Sequence, residues 1–244
     1  MTSASMLYLC AFIAYNGICS AFKCAGLERF MHFSSQSTLL AGTSSARRVT
    51  NYYSQTETRS EIDSSFVISD VLLGDMPDVI SLANDQFIQS TDNFVDIMKL
   101  DFAIINLFLP KLILPDLMKH SVIGIRSLST NKLVGFVDLS LQLSTGSLDA
   151  LKPKSLVERQ QQYGAKNLSP YLCNLFVSPN NRKKGLARKL IAACEAEALS
   201  WGCNCINLHV EMSSAPALNL YLTSDFQIVK TAQDDVVFMT KKLR

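Results

Sequence analysis

An α+β domain is the fold class the sequence predicts, on three stretches. From Tyr171 to Ala198 the chain reads YLCNLFVSPNNRKKGLARKLIAACEAEA. Its first part, Tyr171–Val177, is apolar apart from Asn174, as a strand buried on both faces should be. Pro179 and Asn180 end that strand. Leu186, Leu190, Ala193 and Ala196-Glu197 then fall at helical spacing, predicting a helix from about Gly185 to Trp201. The second stretch, Ser121–Ser129 and Lys132–Leu143, predicts two strands joined by a hairpin at Ser129-Thr130-Asn131-Lys132. The third, Phe226–Val229 and Val236–Lys242, predicts a closing hairpin with Gln233-Asp234-Asp235 at its tip.

The remaining elements follow in order. Residues 66–72, FVISDVL, read as a first strand. Leu73–Gln89 reads as a helix with Asp75 as its cap, Pro77 in its first turn and a stripe of Val79, Leu82, Ala83 and Phe87. Phe94–Phe108 reads as a second helix, stopped by Pro110, and Phe94, Ile97, Met98, Phe102 and Ile105 are expected in the core. Gly135, inside a strand, marks a bulge or a close backbone approach. Ser144–Ser169 is a polar insertion with a helical part at Ser155–Tyr163, either a cover for a substrate groove or a surface excursion. A strand at about Cys205–Met212 and a helix at about Ala215–Ser224 complete the set.

The chain has 244 residues and a formal net charge of +2. That length suffices for one well-buried domain with extensions, and so small a charge disfavours a dedicated nucleic-acid binder. Lys183, Lys184, Arg188 and Lys189 lack the interleaved aromatics that would stack bases. The cysteines are Cys10, Cys19, Cys24, Cys173, Cys194, Cys203 and Cys205, without a C-x-x-C spacing, and there are three histidines. No metal site is expected from that inventory, and free thiols fit a reducing compartment. Cys173 and Cys194 fall on apolar faces.

Residues 1–22 contain a short apolar run, Met6–Tyr15, followed by Cys19-Ser20-Ala21, the pattern of a signal peptide and its cleavage region. Residues 23–60 are rich in Ser and Thr, and carry Lys23, Arg29, Arg47 and Arg48 against Glu28 up to Thr56, as a transit peptide does. That order resembles the bipartite presequences of algae with secondary plastids, in which a Phe in a context like Ser20-Ala21-Phe22 marks the junction. A plastid location is expected, with plain secretion, or an N-terminus extended in gene prediction, as the alternatives. The functional domain is then 61–244, with no membrane segment in the mature form.

The turn between strand and helix, Arg182-Lys183-Lys184-Gly185-Leu186-Ala187, suits a diphosphate. The first turn of a helix has unpartnered N–H groups and a dipole that favours anions. Gly185 admits close approach, Ala187 keeps the next contact small, and three cations stand in the turn. The stretch lacks the first Gly and the Ser/Thr of a Walker loop and is not a dinucleotide fingerprint. A solvated basic helix start is the plain alternative.

The form R-x-x-G-x-A at 182–187, with A-L-N-L-Y-L-T-S-D-F from Ala217 to Phe226, resembles the GNAT superfamily of N-acetyltransferases. The resemblance is specific over about 171–226 and extends from about 66 to 243. Ser214 stands where the family has Asn, and Asp225 where it has Gly. The run Y-L-C-N-L-x-V-x-P, then R-[RK]-K-G-[IL], W-G and L-H-V, is similar to plastid GNAT proteins of plants and algae that acetylate protein N-termini and lysines. The resemblance implies a mixed, mostly antiparallel sheet flanked by helices, with strands splayed at an acetyl-CoA site. It also implies acetyl-CoA contacts at Leu175, Phe176 and Val177, at Arg182, Lys183, Lys184, Gly185, Leu186, Ala187 and Arg188, and at Ser214 and Tyr221.

Acetyl transfer from a thioester to an amine needs a proton acceptor for the amine, a donor for the oxyanion and an acid for the departing thiolate. By resemblance Tyr221 is the acid, and Tyr171 with His209 orders the water that takes the amine proton. An imidazole suits that task. Alternatively Tyr221 is a half-buried helix tyrosine, His209 a satisfied strand histidine and Tyr171 a packing residue. Glu211 is a third candidate base, and Asn174 a candidate for orienting the acceptor. The expected acceptor is a protein or peptide amine; a small-amine acetyltransferase and a non-catalytic acetyl-CoA-binding module are the rivals.

Overall fold

The computed structural model describes residues 65–88, 94–113, 120–146, 156–231 and 235–244. The presequence segments, with Cys10, Cys19 and Cys24, lie outside the described residues, as do 147–155 of the insertion and Gln233-Asp234 of the closing turn.

Among the described residues seven strands form one sheet: β1 (Phe66–Asp70), β2 (His120–Ser127), β3 (Leu133–Leu143), β4 (Leu168–Val177), β5 (Cys205–Glu211), β6 (Gln227–Thr231) and β7 (Val236–Lys242). Their spatial order is β1-β2-β3-β4-β5-β7-β6. Every neighbouring pair is antiparallel except β4 and β5, which are parallel. Both hairpins read from the sequence are present, β2–β3 and β6–β7. The mixed α+β sheet flanked by helices is therefore as expected.

Among the described residues five α-helices cover the sheet: α1 (Met76–Phe87), α2 (Phe94–Ile113), α3 (Leu156–Tyr163), α4 (Leu186–Ser200) and α5 (Ala215–Leu222). One face carries α4 and α5 over Ile123, Val137, Leu139, Leu172, Ile206 and Leu208. The other carries α1 and α2 over Val122, Phe136 and Phe176. Phe136 meets Phe108 edge to face at 5.3 Å and Phe176 at 5.0 Å. A methyl on Gly135 would stand 2.7 Å from the Phe176 carbonyl, so the close approach expected there is real. Cys194 is buried in the α4 core and Cys173 is half-buried.

Asp75 stands at the N-cap of α1 as expected, but its side chain makes no capping bond: its carboxylate accepts from Leu72 N–H at 2.7 Å and pairs with Arg126, while a 3-10 turn at Leu73–Asp75 leads in. Two expectations fail. Pro110 does not stop α2, which runs on to Ile113. A proline inside a helix costs about 3 kcal/mol, but Phe108 is buried and Lys111 pairs with Asp138 one residue beyond Pro110, and these contacts carry the helix past it. Finally, Phe94, Met98 and Phe102 are exposed rather than core. The helix is apolar on more than one face, and the buried stripe is the one through Ile104 and Phe108.

Candidate active site

The sheet opens between β4 and β5. Among the described residues these strands pair at one position, Tyr171 with Asn207. The cause lies in β4. Phe136 pairs with Phe176 but Asp138 with Cys173, so β4 carries an extra residue there. Asn174 takes the bulge with φ +51°, a conformation Asn tolerates better than most residues. The bulge bends β4 away from β5, and the β4 backbone beyond Leu172 has no partner on β5. Leu175 and Val177 pack on the α4 side and Phe176 on the α1 side. What they present to the gap is backbone.

At the closed end of the gap the sheet brings Tyr171 and His209 together, with Tyr171 Oη 2.8 Å from His209 Nδ1. The other ring nitrogen, Nε2, lies 3.2 Å from the Gly146 carbonyl. Tyr171 is buried and His209 half-buried, its ring 5.0 Å from that of Phe238. Burial holds the imidazole below its ordinary value, opposed by the Gly146 carbonyl and reinforced by Lys230. Glu211, at the end of β5, accepts from Ser213 at 3.5 Å.

Tyr221 stands on the other face. It belongs to the α4-side core and meets Phe226 at 5.7 Å. Burial, with Cys173 and Cys194 near, raises its phenol well above the usual range, so it keeps its proton. Ser214 is the N-cap of α5, and its hydroxyl makes no capping bond. Asp225 has φ +66°, the conformation that favours glycine.

The basic turn keeps the N-terminus of α4 open. Gly185 is the N-cap at φ +76°, with nothing within 4 Å of where a Cβ would be, and no side chain caps the helix. Lys183 is also left-handed at φ +62°. Arg182 donates to the Val177 carbonyl at 3.1 Å and to Gln86 at 2.9 Å, tying the turn to β4 and α1. Lys184 bonds Asn181 and lies over the Phe66 ring; Arg188 bonds Thr223, the C-cap of α5. Leu186 is buried, anchoring the first turn, and Ala187 is half-buried. The open turn, unpartnered strand edge and gap form one track along the molecule, which fits an anionic head on an extended arm.

One group escaped the sequence reading. Asp138, on β3 beside the bulge, is completely buried. Lys111 of α2 pairs with it, and Cys173 Sγ and Asn174 Nδ2 lie 3.4 Å from its Oδ2. His120 Nδ1 is 3.7 Å from Oδ1, beyond a hydrogen bond. Burial alone would raise this carboxyl, but Lys111 and His120 hold it well below the usual carboxylate range. Burial likewise lowers His120 and raises the Cys173 thiol. A lone acid inside LVGFVDLSLQL was the available signal.

This geometry is that of an acyltransferase fold with a split sheet. Residues 115–226, a little under half of the chain, match the family model described as "Acetyltransferase (GNAT) family". Among curated proteins, it is 40% identical over 60 residues to "GCN5-related N-acetyltransferase 4, chloroplastic" of Arabidopsis thaliana, a match covering 25% of this chain and 21% of that protein's length. Among solved structures, PaiA N-acetyltransferase of Thermoplasma acidophilum, in complex with coenzyme A, has a TM-score of 0.52 at 15% identity, covering 73% of this chain and 99% of that one. Arabidopsis thaliana NAA60 in complex with acetyl-CoA has a TM-score of 0.50 at 16% identity, covering 73% and 98%. At these identities the structures are evidence of a shared fold.

Proposed function

We propose that the protein transfers acetyl from acetyl-CoA to protein N-terminal α-amines and lysine ε-amines, in the plastid. The observation that carries the chemistry is the Tyr171–His209 pair, 2.8 Å apart at the closed end of the split sheet. In this reading the diphosphate lies on the α4 N-terminus, amid Arg182, Lys183, Lys184, Gly185, Leu186, Ala187 and Arg188. The extended arm lies along the backbone of Leu175, Phe176 and Val177, with Ser214 and Tyr221 across the gap. The amine attacks the thioester carbonyl directly in a ternary complex. A C–N bond forms, the C–S bond breaks, and the amine proton passes through Tyr171 Oη, or a water on it, to His209 Nδ1. Tyr221, still protonated, donates to the departing thiolate.

Two features favour a peptide over a polyamine. The buried acid beside the bulge, Asp138, is already paired with Lys111, so it offers no free charge to a polycation. The apolar surface of α2, with Met98 and Phe102 exposed, suits a peptide side chain better than a small hydrophilic amine. The chloroplastic relative and the transit-like residues 23–60 support the location. Residues 60–244, incubated with acetyl-CoA and a peptide library with free or blocked N-termini, test this by mass spectrometry. Acetyl on α-amines and lysines is expected. Coenzyme binding without peptide product sinks the protein-acceptor reading, and a screen of small amines then separates another acceptor from a binding module.

A further inference from the structure

We propose that the backbone carbonyl of Gly146 is a positioning group: it selects the imidazole tautomer of His209 and so aims the lone pair of Nδ1 at Tyr171. The inference rests on the reading of Tyr171 and His209 as the proton path. A carbonyl oxygen only accepts, so the contact at 3.2 Å requires the hydrogen on Nε2. A neutral imidazole then has its lone pair on Nδ1, where the Tyr171 hydroxyl donates at 2.8 Å. In the opposite tautomer two lone pairs would face each other at Gly146, and Nδ1 would have nothing to accept with.

The glycine itself is required. Gly146 has φ +65°, and a methyl there would lie 2.5–2.7 Å from ring atoms of Phe238. Phe238 in turn packs against His209, so the ring and the Gly146 carbonyl hold the imidazole from two sides. Neighbouring bonds fix the segment: Ser144 N–H donates to the Asn167 carbonyl at 2.8 Å, and Lys230 Nζ to the Thr145 carbonyl at 2.5 Å. The first residues of the insertion, Ser144–Gly146, thereby become part of the proton-transfer apparatus. The titratable groups facing the imidazole among the described residues are Tyr171 on β4 and Lys230 on β6.

The test is nitrogen NMR of the histidine rings in the full chain, with His209→Gln to assign the signal. Above the imidazole pKa, His209 is expected to show a protonated Nε2 and an unprotonated Nδ1. In Gly146→Ala the expected result is a mixture of tautomers, a fall in kcat of roughly ten- to a hundredfold, a displaced acid limb of the pH–rate profile and an unchanged KM for acetyl-CoA. A hydrogen on Nδ1 in the wild type overturns the proposal, as does a Gly146→Ala enzyme with wild-type kcat and pH profile. If Gly146→Ala fails to fold, the wild-type tautomer decides. That tautomer is read without turnover, so an inactive protein with the expected tautomer counts against the acetyl-transfer reading alone.

Discussion

At the scale of single residues, Tyr171 and His209 have separable consequences. Tyr171→Phe removes the hydroxyl between acceptor and imidazole, and is expected to lower kcat by about 100-fold with acetyl-CoA affinity unchanged. Equal losses in both, read by steady-state kinetics and calorimetry, would make Tyr171 a packing residue. The pH dependence has a definite sign. Burial lowers the His209 pKa from 6.5, so the neutral, proton-accepting form persists below that pH in the folded protein. The acid limb of the rate profile is expected below pH 6.5. Because the unfolded chain takes up the proton first, His209 makes stability rise with pH between its folded and unfolded pKa values. Both residues were singled out through the family resemblance, His209 in L-H-V and Tyr171 eleven residues before Arg182. Gly146 was not, since its role depends on a loop crossing to β5 and β7 from 63 residues away.

Among elements, α2 departs furthest from its sequence. Local rules end a helix at proline, yet α2 passes Pro110 because Lys111 reaches Asp138 on the sheet below. Its exposed Phe94, Met98 and Phe102 mislead for a related reason: periodicity identifies a helix but does not say which apolar side the sheet will cover. The inner strands β2 and β3 were read well because burial on both faces leaves a strong mark. The bulge at Asn174 left only a polar residue in an apolar run. Lys111→Met is expected to destabilise the fold by about 3–5 kcal/mol, since it leaves Asp138 buried and unpaired. The double variant Lys111→Met, Asp138→Leu should recover much of that loss in a denaturant titration. A single variant as stable as wild type would mean that α2 is held by its apolar contacts alone. The Asp138 carboxyl is depressed in the folded state, so its contribution is present above the unfolded carboxylate range and lost as pH falls through the folded value.

At the scale of the whole molecule, two half-sheets meet along a seam. β1 to β4 lie on one side and β5, β7 and β6 on the other, with a single parallel pair between them and α4 packed beneath. In the proposed function the coenzyme fills that seam, so it should stabilise the protein as a whole. A saturating ligand at 100 times its Kd raises stability by about 2.7 kcal/mol. Gly185→Asp is expected to abolish this thermal shift, because it sets a carboxylate at the anion end of α4 and a side chain at φ +76°. A retained shift would remove the diphosphate from that turn.

The seam also bears on how the chain avoids its own kind. An exposed run of unpartnered strand backbone is a template for pairing with other chains, and β4 beyond Leu172 is such a run. It is not at the rim of the sheet, however; it faces inward, toward β5. The far wall, β5 with β7 and β6, comes from the last forty or so residues. During synthesis β4 therefore waits with its edge uncovered until the C-terminus is made, and a truncated chain would keep it so. Once complete, the chain sets β5 across from that edge, and in the proposed function the arm of the coenzyme takes the place that a foreign strand would need.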